Sequence, residues 1–235
     1  MKNIYTNSDY IAQNYSWHVE DSLWKAGQIQ KIINKNNLHE IAFCEVGCGA
    51  GEILVQLSKI LPKNSTFCGY DISTDLMTFW KERENQNINF FNRDILEIND
   101  VYYDILLCMD VVEHIPDYIG FLKNIKEKGK YKIFNIPLEI FALKALFPNK
   151  FVGSRMKYGH LHYFNKAIFL ATLEDLNYEI LDFFYAPGAI DLASVTKSIS
   201  LFSKLLKIPR ILLSTLSKEF TAISIGGYSL MILSK

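Results

Sequence analysis

No charge of one sign predominates in this chain: 25 Lys and Arg stand against 25 Asp and Glu over 235 residues. A balanced chain sets up no net field for a polyanion, so bulk charge does not point to nucleic acid. Apolar runs are short, and none reaches the ~18 consecutive residues that a membrane-crossing helix requires. Residues Met1 to Ser8 lack the apolar stretch of a secretory signal, so a cytoplasmic chain is expected. The four cysteines, Cys44, Cys48, Cys68 and Cys108, form neither a C-x-x-C pair nor a zinc-ligand spacing, which points to reduced thiols packed as small hydrophobes. Internal repeats, low-complexity tracts and linkers are missing too, and the length suits a single domain over 1–235.

Between residues 41 and 136, short apolar runs alternate with helical patterns, the habit of a parallel sheet covered on both faces. The runs are Ile41–Val46, Thr66–Tyr70, Ile88–Asn92, Asp104–Met109 and Tyr131–Ile136. After Gly51, apolar residues recur at helical spacing from Ile53 to Leu61, where Pro62 stops them. Asn165 is placed to cap a helix reaching Leu176, and Tyr178–Tyr185 and Tyr228–Ser234 supply two more strands. The fold expected is α/β, a Rossmann-like three-layer sandwich whose seven-stranded sheet is mostly parallel, with the last strand antiparallel.

Gly47, Gly49 and Gly51 form a tight turn between the first strand and its helix, where main-chain N–H groups meet a ligand at a helix N-terminus. A dinucleotide fingerprint would want its third glycine at position 52, and Glu52 stands there, which disfavours NAD and FAD. Acids follow at successive strand ends. Glu45 precedes the turn, on the side where a ligand's ammonium group would be met. Asp71 lies about twenty residues on, where a carboxylate accepts ribose hydroxyl hydrogens. Asp94 suits an adenine amino group, with the Ile95 N–H and the Ile72 side chain as further adenine contacts. Open α/β sheets bind ligands beyond the carboxyl ends of their strands, so these features converge on one crevice.

On these residues the chain resembles the class I S-adenosylmethionine-dependent methyltransferases over roughly residues 40 to 186. Glu45-x-Gly47-x-Gly49-x-Gly51 is similar to that family's first motif, and Asp71 and Asp94 to its ribose and adenine acids. Met109-Asp110-Val111-Val112-Glu113-His114-Ile115-Pro116 resembles the segment after the fourth strand in small-molecule members. The resemblance implies S-adenosylmethionine as cofactor and S-adenosylhomocysteine as product. The cofactor contacts it implies are Glu45, Gly47, Cys48, Gly49, Gly51, Asp71, Ile72, Asp94, Ile95 and Asp110.

Methyl transfer to an oxygen asks for alignment and a base, and His160, His162 and His114 are the catalytic candidates. Strand-like alternation would send His160 and His162 to one face. Quinone-pathway and RNA-end relatives hold a metal with Glu-x-x-Glu-His after the fourth strand. Asp110 replaces the first glutamate here, so no metal is expected. The acceptor expected is a small molecule or a glycan, methylated on oxygen.

Residues 1–38, with Tyr5, Tyr10, Tyr15, Trp17, His18 and Trp24, suggest a helical lid. Segments 138–165 and 190–225 are expected to build the acceptor pocket. In the latter, Leu201, Phe202, Leu205, Leu206 and Ile208 run among Lys197, Lys204 and Lys207, and Pro209 is expected to break it into two amphipathic pieces. Peripheral contact with a membrane, on a lipid-linked substrate, is the alternative use of that face. A binding module without turnover and a nicotinamide-dependent oxidoreductase on the related dinucleotide fold are the other rival readings. Oligomeric state is not legible.

Overall fold

The computed structural model describes residues 19–192 and 204–235. The lid residues Tyr5, Tyr10, Tyr15, Trp17 and His18, and Lys197, Leu201 and Phe202, lie outside them. Seven strands form one sheet: β1 Ala42–Val46, β2 Thr66–Asp71, β3 Ile88–Asn92, β4 Tyr103–Met109, β5 Gly129–Pro137, β6 Ile180–Ala186 and β7 Ser229–Ser234. Their order is β3-β2-β1-β4-β5-β7-β6. All pairings from β3 to β5 are parallel, and β7 runs antiparallel to both β5 and β6. The mostly parallel sheet with an antiparallel last strand is the one expected from sequence.

Alternation within the strands divides the core into two layers. Cys44, Leu106, Cys108 and Phe134 pack on one face, while Phe43, Ile105, Leu107 and Ile133 pack on the other. The second layer is closed by α1 (Ser22–Lys35), through Ile29 and Ile32, and by α2 (Glu52–Ile60), through Leu54 and Leu57. The first layer is covered by α3 (Tyr118–Ile125), through Leu122 and Ile125, and by α5 (Lys166–Asp175), through Phe169 and Leu173, while α4 (Asn149–Tyr158), α6 (Lys207–Leu216) and the short α7 (Lys218–Ser224) lie in the connections before β6 and β7.

The helix ends follow their sequence signals. α2 stops before Pro62, and the Asn165 side chain accepts from Ile168 N, as an N-cap does. Pro209 sits inside the first turn of α6, where its missing N–H costs no hydrogen bond, and the segment is interrupted just ahead of it, at the turn of Leu206 between helical Leu205 and Lys207. A second break falls at extended Ser217, whose side chain caps α7 by accepting from Phe220 N.

Candidate functional site

β1 and β4 are neighbours although β2 and β3 lie between them in sequence, so the connections leave β1 and β4 toward opposite edges. A cavity of about 550 Å³ opens beyond the carboxyl ends of these strands. That volume is typical of a small-molecule site.

The turn after β1 bounds one side. Gly47, Gly49 and Gly51 all have positive φ, at 67°, 52° and 78°. At Gly51 a Cβ would come within 2.3 Å of the Phe90 ring, so close packing fixes that glycine. At Gly49 a Cβ would meet nothing within 4 Å, and that open side is cavity. Asp71 braces the loop: Oδ2 accepts from Gly49 N at 2.9 Å and Oδ1 from Ser73 N at 2.9 Å. Burial raises its pKa despite these bonds. Each oxygen keeps a lone pair for a further donor. Ile72, half-exposed, lines the cavity beside it.

Glu45 is 1% exposed, and its Oε2 has no hydrogen-bond partner. Burial pushes its pKa well above the usual carboxylate value, against the opposing pull of Lys25. A buried carboxyl on a cavity wall with an unmet acceptor fits a ligand that brings a cation. An α-ammonium group is such a cation.

Lys25, from the first turns of α1, was not singled out by sequence reasoning. Its Nζ lies 2.8 Å from Asp110 Oδ2 and 3.3 Å from Asp21 Oδ2. Burial works to lower its pKa, but the two carboxylates outweigh it and hold the amine above its ordinary value. Asp110, with φ 57°, also accepts from Asn135 Nδ2 at 2.6 Å through Oδ1. Trp24 lines the cavity and donates from its indole N–H to Asp191 across 2.8 Å, joining α1 to the segment after β6.

The histidines part company. Leu161 N and His162 N both donate to the Glu113 carbonyl, so residues 159–163 are not a strand and the expected alternation does not hold. His160 lines the cavity, and its Nδ1 is 2.5 Å from Glu139 Oε2. His162 instead has Nε2 3.2 Å from the Pro116 carbonyl and its ring 4.6 Å from that of Tyr118, away from the cavity lining. His114 lines the cavity, with Nδ1 3.2 Å from the Gly159 carbonyl and its ring 4.9 Å from that of His160.

Glu139 was another residue missed from sequence, although it follows β5 as Asp71 ends β2. Its Oε1 accepts from Lys144 Nζ at 2.5 Å and Ser154 Oγ at 2.7 Å. Burial works to raise its pKa, but His160 and Lys144 outweigh it and hold the carboxyl at about 2. The ionised group can only accept, so His160 directs its Nδ1–H at Glu139 and keeps Nε2 for a ligand.

Asp94 and Ile95 do not line the cavity. Asp94 Oδ1 caps the turn after β3 by accepting from Leu96 N at 2.9 Å, and the Ile95 side chain is in the core. Cys48 is buried beside the glycine turn and lines the cavity, and all four cysteines are free.

Glu113, His114 and His160 offer ligand atoms within 4.8 Å of one another. Neither Glu113 oxygen has a hydrogen-bond partner, and burial, with nearby Asp110, raises its pKa well above the usual value. Of the motif read from sequence, Asp110 is committed to Lys25 and Asn135, while Glu113 and His114 meet His160.

The methyltransferase-domain family matches residues 24–182. This chain belongs to it. It is a class I S-adenosylmethionine-dependent methyltransferase, as its strand-end motif, fold and open crevice require. Curated relatives include ubiquinone biosynthesis O-methyltransferases of Rickettsia typhi, 26% identical over 43% of this chain and 42% of the relative. That of Coxiella burnetii is 36% identical over 37% of this chain and 39% of the relative. The matches thus span about two fifths of these relatives. Magnesium protoporphyrin IX methyltransferase from Synechocystis PCC 6803, solved with bound S-adenosylhomocysteine, shares the fold. Its TM-score is 0.57 at 14% identity, over 90% of this chain and 81% of that one. A structure described as a sarcosine dimethylglycine methyltransferase from Galdieria sulphuraria has a TM-score of 0.61 at 16% identity, over 89% and 83%. Among the described residues no helix is long and apolar enough to cross a membrane.

Proposed function

We infer that this methyltransferase transfers its methyl group to a hydroxyl of an apolar, small-molecule acceptor. The observation that carries the reading is the Glu139–His160 pair on the cavity wall, with Nε2 left as a base. Ile115, Leu138, Phe141, Tyr158 and Tyr228 give the surrounding wall an apolar and aromatic character suited to a ring-bearing acceptor. These come largely from the 138–165 segment, while Leu192 and Arg210 come from 190–225, in line with an acceptor role for both. The O-methyltransferase relatives favour the same choice of atom.

When bound, S-adenosylmethionine supplies an electrophilic methyl whose sulfonium leaving centre needs no acid. The chain's part is to hold both partners in line and take one proton. Glu45 would receive the ammonium group, Lys25 the carboxylate, Asp71 the ribose hydroxyls and Ile72 one adenine face. His160 Nε2 would accept the acceptor's hydroxyl proton, and ionised Glu139 would stabilise the imidazolium. His114 would support the His160 ring edge-on.

Methyl-labelled cofactor incubated with hydroxylated aromatic acceptors tests the reading. Label on acceptor oxygen is the expected product; label only on nitrogen or carbon would overturn it. A second reading is favoured by the unpartnered carboxylate of Glu113: a divalent cation held by Glu113, His114 and His160, supplying Lewis acidity to the acceptor oxygen. Turnover abolished by EDTA and restored by magnesium or manganese would select it over the proton-transfer reading.

A further inference from the structure

The chain's charge is balanced overall but not along its length. Residues 140–159 carry Lys144, Lys150, Arg155 and Lys157 and no acid, and residues 192–218 carry Lys197, Lys204, Lys207, Arg210 and Lys218 and no acid. Both segments reach the same cavity, through Tyr158 at the end of α4 and Arg210 in α6.

In α6 the usual amphipathic arrangement is reversed. The residue buried in it is Arg210, whose guanidinium donates from Nε to the Gly226 carbonyl and from Nη2 to that of Ile225. The aliphatic residues face outward. Ile208, Leu212 and Leu216 recur every four residues and are 69%, 64% and 83% exposed, and Leu205, just ahead of the helix, is 69% exposed. In and beside α4, Leu146, Val152 and Met156 are 73%, 57% and 74% exposed. A soluble chain has no reason to turn such a stripe to water unless something apolar covers it.

We propose that the exposed aliphatic face of α6, with that of α4, which reaches the same cavity, docks on an anionic lipid surface, so that the cavity they border opens toward the bilayer. Lys144 and Arg210 are buried, but Lys150, Arg155, Lys157, Lys204 and Lys218 are exposed beside these aliphatic residues, and the combination matches both layers of such a surface: acyl chains for the aliphatic residues and headgroup phosphates for the cations. A second copy of the chain would bring cations against cations. A nucleic acid would answer the charge but leave the leucines in water. The proposal extends the reading of an apolar acceptor, since a membrane is where such a molecule is concentrated, but the docking can be tested without it.

The full chain is floated with vesicles of phosphatidylcholine alone and of phosphatidylcholine with phosphatidylglycerol. Wild type is expected to partition at least about tenfold better onto the anionic vesicles. Leu212→Glu with Leu216→Glu should lower that binding about tenfold or more, with S-adenosylhomocysteine affinity unchanged as the measure of an intact fold. Equal binding by the variant, or no vesicle binding by wild type, overturns the proposal. So does a dimer in light scattering that the variant abolishes while wild type ignores vesicles, or binding to a single-stranded RNA that the variant retains. Loss of vesicle binding leaves cofactor affinity and acceptor methylation in detergent intact, so failure here is distinct from failure of the O-methylation reading.

Discussion

Lys25 Nζ lies 2.8 Å from Asp110 Oδ2, tying the first turns of α1 to the residue that follows β4. Among partly buried groups such a pair costs much to break on one side. Lys25→Met and Asp110→Asn should each lower unfolding free energy by about 1–3 kcal/mol. In denaturant titrations the double variant should fall short of the sum by roughly 1 kcal/mol or more. Additive losses would show that the pair is not coupled.

Burial raises the pKa of the Glu45 carboxyl in the ligand-free protein, against the opposing pull of Lys25. A bound ammonium group favours its ionised form, so its pKa falls on binding and a proton is released. Affinity for S-adenosylhomocysteine should therefore rise with pH until the ligand-free carboxyl itself ionises. Calorimetry in buffers of different ionisation enthalpy should register the released proton. Glu45→Gln should bind more weakly and release none.

His160 and Glu139 should act as a unit on turnover. His160→Ala is expected to lower kcat by about 10²–10⁴-fold, and Glu139→Gln by a smaller factor. Combined, they should cost little more than His160→Ala. S-adenosylhomocysteine affinity should stay within about twofold throughout. Full additivity would separate the two roles.

Glu139 also gives stability a pH dependence of defined sign. Its carboxyl lies at about 2 in the folded chain, below the ordinary value of 4.5. The stabilisation is fully present above the unfolded value and disappears as pH falls from there toward 2. Wild type should thus lose its advantage over Glu139→Gln across that window in equilibrium unfolding. An advantage that grew on acidification would contradict the depressed pKa.

The glycine turn separates packing from binding. Gly51→Ala drives a Cβ into Phe90 at a φ of 78° and should cost roughly 2–4 kcal/mol. Gly49→Ala meets no protein atom and should cost only about 1–2 kcal/mol for its left-handed backbone. It should nevertheless weaken cofactor binding more than Gly51→Ala weakens it in the folded fraction. Thermal unfolding with and without S-adenosylhomocysteine distinguishes the two.

The sequence by itself determined the layered α/β fold, because strand and helix periodicities are local and the turn glycines are local requirements of backbone geometry. It also marked Glu45 and Asp71, since acids at strand ends converge in an open parallel sheet. By the same rule Glu139, just past β5, was legible but unread. Lys25 was not legible, for a lysine in an ordinary helix acquires its meaning only when α1 packs against the end of β4. The fate of the histidines was likewise decided by tertiary contacts. Two N–H groups hooked on the Glu113 carbonyl break the alternation of residues 159–163, turning His160 toward Glu139 and the cavity and His162 toward Pro116. The glycine turn therefore bounds the cavity through local geometry, whereas the wall carrying His160 and Glu139 depends on side chains brought together from distant parts of the chain.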